Sequence, residues 1–131
     1  MKLSLDAYLK LKSLIDELIR ISEDGAIIIV EGKNDVKALR MLGVKGEIVT
    51  SANCSNAELV DKIKNKNVVI LTDWDRRGDD LEKDLVTKFS SWGVIPDTEL
   101  RRKIFSIVGR TVTSVEDLVK FILSVEENLK I

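Results

Sequence analysis

Asp73 and Asp75 stand two residues apart just past the apolar run at 68–71, and a second apolar run at 26–30 leads into Glu31. Burying an unpaired carboxylate is very costly, so acids delivered by such runs need a partner, a cation or a proton. On an extended backbone, residues two apart point to the same side. Asp73 and Asp75 then have Cβ atoms about 6–7 Å apart, with Trp74 on the other side. If the two runs are adjacent parallel strands, about 4.8 Å apart, Glu31, Asp73 and Asp75 converge on one rim. Three acids that close repel one another unless a cation lies among them. An all-oxygen ligand set suits Mg2+ or Mn2+. Mg2+ takes one or two carboxylates directly and leaves the rest of its shell to water and phosphate.

Composition narrows the chemistry further. The 131 residues include no histidine and one cysteine, Cys54. Ser-His-Asp and Cys-His catalysis, histidine-bound zinc and an internal disulfide are therefore excluded, and Cys54 is given no role. Carboxylates, lysines, arginines or a bound ion must carry any reaction. The net charge of −1 rules out general attraction to nucleic acid, so any such binding needs a local patch. With 44% hydrophobic and 33% charged residues, the chain reads as one globular domain, 1–131. Its first twenty residues are too interrupted by charge for a signal peptide or membrane span, which points to the cytoplasm and away from the membrane.

The elements that must position these acids follow from periodicity. Leu5, Leu9, Leu11, Leu14, Ile15, Leu18 and Ile19 have helical spacing. The short β-branched run at 26–30 reads as a strand buried on both faces. Helices are then expected at 34–42, 56–65, 78–92 and 114–129, and strands at 46–50, 67–72 and 103–108. Ser55 with Glu58 and Thr113 with Glu116 fit capping boxes, and Gly43 and Gly93 fit helix ends. The alternation predicts an α/β fold in three layers, α/β/α and Rossmann-like, with a mainly parallel sheet of about four strands. An N-terminal helix (1–23), a core (24–110) and a C-terminal helix (111–131) divide the chain. In such sheets function gathers at the carboxyl ends of the strands, where Glu31, Asp73 and Asp75 lie.

The stretches IIIVEGKNDVKAL and VVILTDWDRRGDDL resemble the two motifs of the Toprim domain, found in primases, topoisomerases, OLD-family nucleases, RecR repair proteins and nucleases that mature ribosomal RNA. The likeness covers about residues 25–90 and is greatest to small stand-alone archaeal Toprim proteins. It implies that Glu31 is the general acid/base, that Asp73 and Asp75 hold Mg2+ or Mn2+, and that Asp35 is the acid that often follows the glutamate. Type IA topoisomerases carry a further glutamate where Arg77 stands here, and Tyr8 lies in the first helix, outside any nucleophile motif. Topoisomerase activity is therefore not expected.

Each residue also has a plainer reading. Glu31 could cap a helix or pair with Lys33. Asp35, Asp79 and Asp80 could be first-turn acids, and one aspartate of the pair could be a simple cap. Arg76 and Arg77, with Lys33, could hold phosphate or be a solvated turn. Trp74 is expected to pack beneath the site. Ser51, Asn53 and Ser55 fit either a rim or a loop. Arg101, Arg102 and Lys103, with Arg110, form a basic cluster placed before the expected last strand. The leading functional expectation is Mg2+-dependent phosphodiester hydrolysis of nucleic acid, RNA slightly favoured over DNA. The alternative is a non-catalytic module that binds nucleic acid or a protein or ribonucleoprotein partner. A phosphoacceptor domain and a HAD-type phosphatase fit less well, because their acids and following residues stand elsewhere.

Overall fold

A computed structural model describes residues 3–129; the two residues at each end of the expected domain lie outside the described residues. Among the described residues the order is α1 (Leu5–Glu23), β1 (Ile27–Val30), α2 (Lys33–Met41), β2 (Ile48–Thr50), α3 (Asn56–Ile63), β3 (Val68–Ile70), α4 (Arg76–Ser90), α5 (Glu99–Val108) and α6 (Val115–Leu129). The strands form a parallel sheet in the order β2-β1-β3. No described helix is long and apolar enough to cross a membrane.

Because side chains alternate across a strand, the β-branched runs feed two cores. Ile27, Ile29, Val68 and Ile70 pack with Leu59, Val60 and Ile63 of α3 and Leu85 and Phe89 of α4. Ile28, Val30 and Val69 face the other way, onto α1, α5, α6 and Leu39 of α2. The result is the expected three layers. Helix α1 packs on α5, and α2 packs on α6.

One expected element is different. Residues 103–108 belong to α5, so the sheet has three strands among the described residues rather than about four. Ile104, Phe105, Ile107 and Val108 satisfy both periodicities, but Leu100, Ile104 and Val108 complete a helical stripe that is buried. Asp97 starts the helix: its carboxylate accepts the N–H groups of Glu99 (2.8 Å) and Leu100 (3.2 Å). The place of a fourth strand is marked by a single parallel bridge between Val69 and Asp97. A second difference is small. The cap of α6 is Ser114, whose hydroxyl accepts Asp117 N–H at 3.0 Å. The expected Thr113 box is thus displaced by one residue, which leaves Glu116 with a different task. Ser55 does cap α3, accepting Glu58 N–H.

Candidate metal centre

The sheet order reverses between β1 and β3, and the loops after those two strands open there into the crevice where such folds hold ligands. Glu31 follows β1 directly. Strand β3 ends at Ile70, and the chain then bends through 71–75 before α4 begins. Across the switch point the Glu31 carboxylate accepts Asp73 N–H at 2.8 Å. The Asp73 carboxylate in turn accepts Val115 N–H at 3.1 Å, at the start of α6. Asp35, in the first turn of α2, accepts Gly32 N–H at 3.1 Å. Glu31, Asp35 and Asp73 line one cleft of about 640 Å³, together with Lys33, Arg77 and Glu116. Tyr8, by contrast, donates to Glu126 of α6 at 2.6 Å.

The expected aspartate pair is split by the bend. Asp73 points into the cleft, whereas Asp75 is exposed and caps α4, accepting Gly78 N–H at 2.7 Å. Neither Asp75 nor Arg76 lines the cleft; Lys33 and Arg77 do. Thr50, Ala52 and Asn53 form the wall on the β2 side, while Ser51 and Ser55 are not part of it. Trp74 is buried beneath the loop, with its indole N–H donated to the Arg101 carbonyl at 2.8 Å.

Electrostatics single out Asp73. Its carboxyl is pushed up to about 7, first by burial and then by the charges of Glu31, Asp35 and Asp75, against the pull of the Val115 N–H. Asp35 is also raised. Burial is the main cause, the charges of Glu31 and Glu116 add to it, and the N–H groups of Gly32 and Glu116 oppose it. A cation would relieve both. Among the described residues no three carboxylates are drawn together tightly enough to enclose an ion unaided. The donors around Asp73 are all oxygens, the chemistry that hard divalent cations take, with water completing the shell.

Sequence reasoning missed three contributors. Gly78 lets α4 cross close to the loop: a Cβ there would collide with the Asp73 carbonyl oxygen, and the Thr72 hydroxyl donates to the Gly78 carbonyl at 2.8 Å. A glycine in the first turn of a helix was the available signal. Glu116 enters the cleft from α6, which only the tertiary fold brings there. Arg101 is no surface cation; it is 6% exposed and lies behind the loop.

Residues 26–107 match the sequence profile of the Toprim domain. A UPF0292 protein from Archaeoglobus fulgidus is 46% identical over 107 residues, covering 82% of this chain and 85% of the relative. One from Methanosarcina barkeri is 42% identical over 116 residues, covering 86% and 80%. A solved structure of a protein from Aquifex aeolicus superposes with a TM-score of 0.71 at 28% identity, covering 82% of this chain and 96% of that one. Toprim domains are associated with divalent metals and with nucleic acids. With a parallel β2-β1-β3 sheet, Glu31 and Asp73 joined at its switch point, and relatives that span most of its length, the chain belongs to the Toprim domain family.

Proposed function

We propose that the protein is a Mg2+-dependent nuclease, cytoplasmic, with RNA favoured over DNA. One arrangement supports this reading above all: Glu31 is tethered to Asp73 N–H inside an acidic cleft that also carries Lys33 and Arg77. Asp73 would hold the ion, with Asp35 and Glu31 beside it, and Asp75 would join it only by turning from its cap on α4. When bound, Mg2+ supplies a Lewis acid that polarises the phosphate. Lys33 and Arg77 attract the nucleic-acid backbone; neither has a carboxylate partner among the described residues. One oxygen of Glu31 is fixed by the Asp73 N–H. The other is available to take a proton from the attacking water and to return it to the leaving oxygen. The preference for RNA rests on likeness to the nucleases that mature ribosomal RNA.

A second reading is a non-catalytic module with a nucleic-acid or protein partner, favoured by the lack of a ready-made metal cage among the described residues. Glu31→Gln separates the two. Glutamine can still accept the Asp73 N–H but cannot carry the proton. Metal-dependent cleavage of single-stranded, duplex and structured RNA and DNA at low salt should fall about 10²–10⁴-fold, with Mn2+ affinity little changed. Cleavage equal to wild type would remove Glu31 from the reaction. Wild type that cleaves nothing but retains a ribonucleoprotein partner would establish the module instead.

A further inference from the structure

We propose that Arg101 is the positioning residue of the Asp73 carboxylate, an inference that rests on the reading of Asp73 as a metal-binding residue. The Arg101 side chain comes from α5 and reaches the loop outside the cleft, in a separate pocket that Trp74, Asp79 and Glu82 also line. Its Nε donates to the Thr72 carbonyl at 2.8 Å, and one terminal nitrogen, Nη2, donates to both the Asp73 carbonyl and the Asp79 carboxylate, the latter at 2.7 Å. Glu82 stands 3.5 Å from the guanidinium. The residue also works through its backbone, since its own carbonyl takes the Trp74 indole N–H.

A buried ion pair is weak evidence for stability, because desolvation offsets its attraction. What gives this one a purpose is where its donors go. In a strand, successive carbonyls point to opposite sides and are taken by the two neighbours. Past Ile70 the carbonyls of Thr72 and Asp73 both turn to one guanidinium, which only a planar fork of donors can satisfy together. With its carbonyl fixed from behind, its N–H held by Glu31 and its carboxylate held by Val115 N–H, Asp73 has one orientation left. Gly78 opens the space in which the loop can lie against α4. Asp79 and Glu82 balance the guanidinium charge, so the clamp does not neutralise the acids of the cleft.

The test compares wild type with Arg101→Met, which keeps the length of the stem, and Arg101→Lys, which keeps the charge without the fork. Phe89→Leu, a change in the core of the opposite sheet face, serves as a control that lowers stability alone. Mn2+ affinity is followed by paramagnetic resonance of the free ion. Hydrogen exchange of the Asp73 and Val115 amides is followed in metal-free buffer. Arg101→Met should weaken Mn2+ binding about 10- to 100-fold, the range found when groups behind a metal ligand are removed. It should also release the Asp73 and Val115 amides while the Ile28 and Ile29 amides stay protected. Arg101→Lys should recover less than half of that loss in log affinity, and it carries the comparison if Arg101→Met does not fold. Phe89→Leu should lower Tm and move neither readout. Arg101 variants with wild-type Mn2+ affinity and wild-type protection of both amides would overturn the proposal. If wild type binds no Mn2+, the metal reading itself fails, and amide exchange decides the clamp: release supports it, unchanged protection overturns it.

Discussion

Replacing Asp73 by asparagine removes a charge that the metal-free protein holds at a cost. The carboxyl rises from 3.8 to about 7, with burial first among the causes and Glu31, Asp35 and Asp75 adding to it. At about 1.36 kcal/mol per tenfold change in acidity, this corresponds to about 4 kcal/mol at most. Asp73 is only half-buried and open to the cleft, and solvent screening brings the figure to about 2 kcal/mol. Below pH 3.8 the group is protonated in both the folded and unfolded states, and no cost exists. The cost grows as pH rises, because the folded state keeps its proton longer, and it is complete above about pH 7. The asparagine of the variant carries no such cost at any pH and can still accept the Val115 N–H. In EDTA, Asp73→Asn should therefore melt about 5–10 °C above wild type at pH 8 and close to it at pH 4. Saturating Mg2+ should raise wild type, by about 2.7 kcal/mol at a hundredfold excess over Kd, and leave Asp73→Asn almost unmoved. A pH-independent difference in Tm, or equal Mg2+ shifts in both proteins, would refute the reasoning.

Gly78→Ala forces the Asp73 carbonyl and α4 apart, since the added Cβ would overlap that oxygen. It should lower Tm and weaken Mn2+ binding together, and melting plus Mn2+ titration will show whether both move. Lys33→Ala with Arg77→Ala removes the two cations of the cleft. Nucleic-acid affinity should fall at low salt, and the slope of log affinity against log salt should flatten by about 1.4–1.8, the range for two phosphate contacts; an unchanged slope would place the backbone elsewhere.

The strands and the placing of Glu31 and Asp73 at their carboxyl ends are legible in the sequence because they depend on local signals, whereas the pairing of β1 with β3 enters that reading only as a condition, which the sheet meets. Short β-branched runs make buried strands, and an acid straight after a strand must lie at the sheet's carboxyl rim. Asp75 is harder to place. An extended chain to residue 75 would aim it beside Asp73, but β3 stops at Ile70 and α4 needs a cap at its first turn. Helix α5 reads as a strand because its last six residues suit either period, while Asp97 and Leu100, which settle it, lie upstream. Arg101, Arg102 and Lys103 look alike in sequence. Only the packing of α5 against the loop buries the first and leaves the other two exposed. Glu116 reaches the cleft because α6 packs on α2, a contact between distant segments that no local pattern encodes.

That Asp73 belongs to a divalent-cation site is the claim on which the proposed chemistry stands. Crystals of the protein soaked in Mn2+, with anomalous scattering measured at the manganese edge, test it most directly. The account predicts an anomalous peak in the cleft, bonded to the Asp73 carboxylate and within reach of Glu31 or Asp35, and no such peak in Asp73→Asn crystals treated alike. A cleft without a peak at saturating Mn2+, or a peak that persists unchanged in Asp73→Asn, would contradict it.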